Sequence, residues 1–335
     1  MAVRALAWLA ERSATPVYIA CGQDGDAMAA RLAQVPAISL QHSIRHAAIL
    51  LVAGPYRDAD RPALRRLHDQ LPHPRATVWW GAVPLAEAQD AVTIAQGDHP
   101  VARLRRLDRN LLRGERASEP DWLPDEPPNE WRGKGDHGQG GEGMMGGVPY
   151  GRPMAMMGEE MRDALMLDAM TITIGPFLRT LPPGLSLELT LQGDVIQQAR
   201  VVTPAYPASG GASEPLLRAA RMLESLGLPD LARRAQISAM RDSAEGLLAA
   251  ARRCGALLAL PAELADVRAR LEAALRGGTA PDPGEEWLVD RLAGMEWQSA
   301  LLRIASFDPA TLAQIAPAAE PDEDEEDGDE KERAA

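Results

Sequence analysis

The sequence places several methionines after one histidine in a glycine-rich stretch. The histidine is His137, and the methionines are Met144, Met145, Met154, Met156 and Met157. Thioether sulfur and imidazole nitrogen are soft ligands that suit Cu(I), so a copper site is one interpretation of this segment. Methionine side chains also adapt to irregular protein surfaces. We therefore predict a partner-contact segment here and keep a copper-handling protein as an alternative.

A glycine-rich hexapeptide in the same stretch, residues 133–138, matches the G-x-G-x-x-G pattern of dinucleotide-binding loops. That function requires a strand before the glycines and a helix after them, so that backbone N–H groups face the pyrophosphate. The flanking sequences, DEPPNEWR and GQGGEGMMGG, predict neither element. We therefore expect no nucleotide site, and because no nucleophile stands in a pattern with a base, we predict no catalytic residue.

Cys21 and Cys254 are the only cysteines among the 335 residues. Two distant thiols cannot form a disulfide framework or a C-x-x-C metal site, and this usage suits a reducing compartment. No stretch of the sequence approaches the roughly 20 apolar residues that cross a bilayer. We expect a cytoplasmic protein, at most peripheral on the inner face of the membrane, without direct membrane insertion.

The negative charge of the chain is concentrated near its C-terminus. Of the formal net charge of -13, residues 320–333 contribute ten carboxylates against Lys331 and Arg333, a net of -8, which leaves -5 for the rest. Such a run of like charge stays solvated, or it binds a basic partner. We predict a disordered acidic tail over residues 319–335, and the charge distribution gives no support to nucleic-acid binding.

Apolar runs alternate with helical patterns over residues 1–115. We expect strands at 16–22, 46–54 and 76–81 and a possible fourth at 91–97, separated by helices that start near Asp24 and Pro62 and followed by a helix that ends at Gly114. Near-continuous apolar strands between helices predict a parallel sheet covered on both faces. We expect a flavodoxin-like, doubly wound α/β domain.

The remaining sequence predicts four further regions. Residues 116–165 lack an apolar period and are expected to form a linker or interface segment. Residues 166–210 predict a β meander, because LSLELTLQ alternates strictly and ends in a Gly-Asp hairpin turn. Residues 211–318 predict a helical bundle, with helices at about 215–227, 229–256, 261–276 and 285–306. The acidic tail follows.

The stretch SIRHAAILLVAGPYRDADRPALRRLHDQLPHPRATVWWGA resembles a known family. It is similar to the respiratory complex I subunit that carries the terminal iron–sulfur cluster, and to the small subunit of nickel–iron hydrogenases. The ILLVAG strand and the PALRRLHDQLPHPR segment correspond to that family's "adilivaG…mapalrrlydqmpePr" pattern. Separately, LPPGLSLELTLQGDVIQQARV resembles the first hairpins of the complex I subunit that is related to the hydrogenase large subunit.

The resemblance implies a tetranuclear iron–sulfur cluster held by four cysteines, and this sequence retains one of them. Cys21 keeps one thiol of the pair after the first strand, Val83 stands where the third-strand cysteine belongs, and Asp98 replaces the cysteine of the GCPP turn. Cluster assembly needs about four thiolates. We expect no cofactor, and keep Cys21, Asp98 and His99 as residual candidates for a different metal.

We therefore predict a non-catalytic structural or coupling subunit of a complex-I-like, ion-translocating membrane assembly, with antiporter-like or other complex-I-like subunits as partners. If the chain is part of an enzyme, that enzyme is an NADH:quinone oxidoreductase-like complex. Trp79, Trp80 and the methionines are the interface candidates, because aromatic and methionine side chains are favoured at interfaces. A second alternative is an electron-transfer subunit with an unusual iron–sulfur site.

Overall fold

The computed structural model describes residues 12–124, 156–157, 168–207, 214–280 and 291–317. Within these ranges the chain forms a parallel sheet with flanking helices, a small antiparallel sheet and a group of helices. The mixed α/β character predicted from the sequence is confirmed at this level.

The first half of the chain forms a five-stranded sheet in the order β2-β1-β3-β4-β5, and every neighbouring pair is parallel. Its strands are β1 (Thr15–Cys21), β2 (Ile38–Leu40), β3 (Ile49–Ala53), β4 (Ala76–Trp80) and β5 (Val92–Ile94). All residues of β3 and β4 are buried, as expected for apolar runs in a sheet covered on both faces. The edge strand β2 was not predicted, because three residues are too short to show a pattern.

Helices cover both faces of the parallel sheet. They are α1 (Gly25–Ala33), α2 (Arg61–Gln70) and α3 (Val101–Leu112). The buried sides of α1 and α3 share one apolar cluster with Ile19, whereas Leu64 of α2 packs with Trp79 on the other face. Asp24 precedes α1 as predicted, but it adopts a left-handed conformation (φ 57°) and does not cap the helix through its side chain.

Residues 115–124, which we call the strap, stay on the α/β unit instead of beginning a linker. The Glu119 carboxylate accepts a hydrogen bond from the Thr77 N–H at 2.8 Å. The Asp69 carboxylate accepts one from the Trp122 N–H at 2.9 Å. Because these anchors are polar and lie at scattered positions, no apolar period in the sequence marks the strap.

The predicted β meander is present as an antiparallel sheet in the order β6-β7-β8-β9. Its strands are β6 (Met156–Met157), β7 (Asp168–Ile174), β8 (Ser186–Gln192) and β9 (Val195–Thr203). The turn between β8 and β9 is formed by Gly193 and Asp194, and Gly193 has the positive φ (61°) that such a hairpin requires. The sheet therefore includes a short strand, β6, ahead of the predicted region 166–210.

The C-terminal part is helical. Its helices are α4 (Glu214–Ser225), α5 (Pro229–Met240), α6 (Leu247–Arg253), α7 (Ala265–Ala274), α8 (Trp297–Ala305) and the single turn α9 (Pro309–Leu312). Most of their buried side chains form one apolar cluster, and α8 also packs on the antiparallel sheet.

Two of the predicted helices differ from those observed. The helix expected over 229–256 is divided between α5 and α6, because Asp242 (φ 50°) and Gly246 (φ 74°) adopt left-handed conformations between them. In the helix expected over 285–306, the described residues before α8 are not helical. There the Ile196 N–H donates to the Met295 carbonyl at 2.9 Å, so the chain pairs with the start of β9 instead.

Helix α1 joins the two halves of the molecule. Its Met28 and Leu32 belong to the core under the parallel sheet, whereas its Ala30 belongs to the core of the C-terminal helices. The Arg233 guanidinium of α5 also donates to the Ala33 carbonyl at 2.7 Å. None of the helices in the described ranges combines the length and apolar character needed to cross a bilayer.

Candidate site at the carboxyl edge of the parallel sheet

The strand order locates the point at which an open parallel sheet usually holds its ligand. In such sheets the crevice lies outside the carboxyl ends of the strands, where the order reverses. Here the reversal falls between β1 and β3, whose paired last residues are Cys21 and Ala53. Cys21, one of the three residual metal candidates, therefore stands at the expected position.

The crevice itself is closed by the backbone of the two loops that leave β1 and β3. The Gly22 N–H donates to the Ala53 carbonyl and the Gln23 N–H to the Pro55 carbonyl, both at 2.8 Å. A Cβ atom added to Gly54, which has a φ of 84°, would lie 2.2 Å from the Gln23 carbonyl oxygen. These loops touch backbone to backbone, which leaves no room between them for an inorganic group.

The loop that precedes β8 covers the side chain of Cys21. Phe177 of this loop is buried in the α/β core, and its carbonyl accepts a hydrogen bond from the Tyr18 hydroxyl at 2.9 Å. A cavity of about 40 Å³ remains where this cover meets α1 and α4, and Cys21 and Arg221 are among the residues that line it. This volume accommodates a few water molecules.

The Cys21 thiol is strongly disfavoured as a thiolate. Burial raises its pKa to about 12, the Asp26 carboxylate acts in the same direction, and Arg179 opposes both. Metal ligands and nucleophiles use the thiolate form of cysteine. At neutral pH the thiol is therefore a poor candidate for either role.

Charged side chains surround this cavity in linked pairs. Arg221 contacts the Asp26 carboxylate at 3.0 Å, and Arg179 contacts the Glu224 carboxylate at 3.2 Å. The Arg221 side chain is only 6% exposed, yet its Nε and Nη2 atoms have no hydrogen-bond partner among the described residues. Its next carboxylate, Glu214, lies 3.8 Å away, and burial raises the pKa of that group. The pairing here is incomplete.

A second polar joint connects the α/β unit to the antiparallel sheet. Arg57 donates to the Asp60 carboxylate at 3.0 Å and to the Pro204 carbonyl at 2.8 Å, and its guanidinium lies 4.4 Å from the centre of the Tyr206 ring. The Tyr206 hydroxyl donates to Asp60 as well. Burial and this hydrogen bond raise the pKa of Tyr206, so the phenol remains a donor.

The other residual metal candidates lie apart from Cys21. Asp98 and His99 are exposed and follow β5. This strand is three positions from β1 in the sheet, or roughly 14 Å at the usual strand spacing. Across the described ranges, no group of three or more His, Cys, Asp or Glu side chains is arranged to hold a metal ion. The structure therefore does not bring the three candidates together.

Both predicted tryptophan anchors lie in the protein interior, each 0% exposed. Trp79 packs between Tyr56 and Trp122, with ring centres at 6.0 and 6.2 Å. Trp80 donates its indole N–H to the Asp98 carbonyl at 3.1 Å. Their apolar strand is central in the sheet, so burial removes both side chains from the candidate partner surface.

The apolar side chain that this edge exposes is instead Val83, which is 77% exposed. It lies in the loop after β4, and its carbonyl accepts a hydrogen bond from the Tyr56 hydroxyl at 2.7 Å. This is the position where the resemblance implies a cysteine ligand.

The structure leaves the methionine-rich segment largely untested. His137 and Met144, Met145 and Met154 lie outside the described residues, and Met156 and Met157 form strand β6. The interface and copper hypotheses for this segment both remain predictions.

Sequence reasoning missed the arginines that join the two halves, Arg57, Arg179 and Arg221. Their partners are as far as 195 positions away in the chain, as for Arg221 and Asp26, and no local pattern reveals such pairs. No protein-family model matches the chain, and none of the curated proteins compared with it is similar.

Proposed function

We propose that this chain is a non-catalytic structural or coupling subunit of a complex-I-like, ion-translocating assembly at the inner face of the membrane. The observation that carries the proposal is the edge of the sheet described above. At this edge, where α/β proteins usually position reactive groups, the loops after β1 and β3 contact each other through their backbones and Val83 is exposed. Such an edge suits contact with a partner better than chemistry.

The strand order supports a flavodoxin-like assignment for the α/β unit, because 2-1-3-4-5 is the order of that doubly wound fold. The resemblance to the cluster-bearing complex I subunit implies the same fold. The covalent linkage to a meander and helices corresponds to the second resemblance, to the subunit related to hydrogenase large subunits. Fold alone does not define function, so the partner has to be identified by experiment.

The residues present do not fit the iron–sulfur cluster that the resemblance implies. A tetranuclear cluster needs about four thiolates, and the second cysteine of the chain, Cys254, lies exposed just after α6 among the C-terminal helices. Cys21 alone remains at the sheet edge, with its pKa raised to about 12. The electron-transfer alternative therefore has no favourable observation here.

The decisive experiment is affinity purification of the tagged chain from its source cells in mild detergent. We expect a membrane antiporter-like or other complex-I-like subunit to copurify. A Val83→Glu variant should lose this partner, because a charge is placed on the exposed valine of the sheet edge. The matched control is Leu258→Glu, which places the same charge on a leucine that is 85% exposed among the C-terminal helices.

A monomeric chain that captures no such subunit would contradict the proposal. Loss of the partner from both variants would place the interface elsewhere. Brown protein with about four irons per chain after anaerobic isolation would instead favour the electron-transfer alternative.

A further inference from the structure

Helix α3 carries a stripe of arginines on its outer side. These residues are Arg103, Arg105, Arg106 and Arg109, which we call the arginine stripe. The opposite side of the helix buries Leu104, Leu107 and Leu111 against the sheet. At 1.5 Å per residue the stripe extends over roughly 9 Å, so its charges are close enough to act together.

The arginine stripe is not neutralised by the described residues around it. Arg103 donates to the Thr93 carbonyl at 2.9 Å, and the Nε atom of Arg109 donates to the Arg105 carbonyl at 3.3 Å. Within the described ranges no carboxylate lies within ion-pair distance of any of the four arginines.

The helix's own carboxylate, Asp108, interacts electrostatically with Arg105 but forms no ion pair with the stripe. Asp108 points to the buried side, where it accepts a hydrogen bond from the Thr15 hydroxyl at 2.9 Å. The stripe therefore presents a concentrated positive charge on a chain whose net charge is -13. A negatively charged partner of similar charge density would complement it.

The same chain supplies such a partner in residues 320–333, with a net charge of -8. The described residues end at 317, and the 18 residues beyond them could extend by roughly 60 Å. A domain of this size has a diameter of roughly 50 Å and a circumference of roughly 160 Å, so the extended tail spans about a third of the way around it. A contact between the tail and the stripe requires α3 to lie within that reach of residue 317. Covalent linkage also gives it an effective concentration on the order of millimolar at the stripe.

We propose that the acidic tail binds the arginine stripe of α3 within the same molecule. The contact is electrostatic and has no fixed register, because many carboxylates can exchange over a few guanidinium groups. It shields the stripe from other anionic surfaces. This inference does not depend on the proposed function.

Distances between two nitroxide labels test the contact in the full chain. The labels are attached at Ala102→Cys, beside the stripe, and at Gly328→Cys, in the tail, in a Cys21→Ala, Cys254→Ser background. We expect a short-distance population at about 0.01 M salt and its loss at about 1 M, where screening acts over only about 3 Å.

Two charge variants separate the proposal from nonspecific compaction. Arg105→Gln, Arg106→Gln and Arg109→Gln together should abolish the short-distance population. Arg234→Gln, Arg241→Gln and Arg253→Gln remove the same charge from exposed positions on the C-terminal helices and should leave it intact. Equal distances in the two variants, or no response to salt, would overturn the proposal.

Binding to anionic vesicles tests whether a lipid surface, instead of the acidic tail, occupies the arginine stripe. With the tail shielding the stripe, the full chain should bind phosphatidylserine-containing vesicles weakly, and removal of residues 319–335 should increase binding several-fold. Equal binding with and without the tail would show that the tail does not shield the stripe, which contradicts the proposal.

Discussion

Two buried arginines are satisfied to very different degrees, one inside the α/β unit and one where the halves of the molecule meet. Arg75 is 1% exposed and donates to the carbonyls of Asp69, Leu71 and Glu119, each at 3.2 Å, and to the Asp121 carboxylate. Arg221 is 6% exposed and has a single hydrogen-bonded carboxylate. Each guanidinium nitrogen of Arg75 thus has a partner, whereas the pairing of Arg221 is partial.

The difference teaches where each region gains its stability. A fully paired guanidinium fixes its surroundings, because every displaced donor would leave a buried group without a partner. A partly paired guanidinium already leaves buried N–H groups without partners, so the folded protein carries part of that free-energy cost. We therefore expect the stability of the strap to depend on Arg75. The stability of the region around Arg221, where the halves meet, should depend more on the apolar contacts of α1.

The largest effect is expected for Arg75→Met. It leaves three carbonyl groups and the Asp121 carboxylate without this donor, so the free energy of unfolding should fall by about 3 kcal/mol or more. Urea denaturation measures this loss. The control Arg61→Met breaks an exposed pair with Asp58 and should change stability by less than about 0.5 kcal/mol. Equal losses would refute the special role of the strap.

The next effect is a pH dependence where α2 contacts the strap. Burial lowers the pKa of His68 to about 4, with a smaller opposite contribution from its hydrogen bond to the Pro120 carbonyl. Because the unfolded histidine has a pKa near 6.5, stability is complete above that value and is lost as the pH falls from about 6.5 toward 4.

Between pH 7 and pH 5 the expected loss from His68 is about 2 kcal/mol. Comparison of urea denaturation at these two values for the wild type and for His68→Gln isolates this group from the carboxylates. An identical pH dependence in the two proteins would show that His68 does not remain neutral in the folded state.

A third effect is expected where the α/β unit contacts the antiparallel sheet. There Tyr206→Phe should lower the free energy of unfolding by about 1 to 2 kcal/mol, because the buried Asp60 loses one hydrogen-bond donor but keeps Arg57. The control is Tyr56→Phe, whose hydroxyl contacts a loop carbonyl at a partly exposed site and should matter less. A larger effect for Tyr56→Phe would reverse our ranking of the two phenols.

The smallest effect is expected for Arg221→Met. Its removal leaves Asp26 with the Ala27 N–H as donor and also removes two buried nitrogen atoms that lack partners among the described residues, so the net loss should be about 1 kcal/mol or less. If thermal and urea denaturation show a loss as large as that of Arg75→Met, bound water completes the pairing of Arg221 and the two regions are alike.

The parallel sheet was predictable because its strands are apolar throughout and its helices start at recognisable positions such as Pro62. The strap was not, because Glu119 and Asp69 act through single polar contacts across the fold. At the candidate site, the position of Cys21 followed from its place at the end of β1. The closure by Gly22 and Gly54 depends on two loops whose approach no local sequence signal reports.

Helix α1 has a consequence for any attempt to divide this chain. Because Ala30 is buried by the C-terminal helices while Met28 is buried by the sheet, a protein cut after residue 124 would expose an apolar helical flank to water. Each part, expressed alone, should therefore aggregate, or the two parts should reassociate when they are mixed. Because α1 is shared by both cores, the two halves of the molecule form one unit of folding.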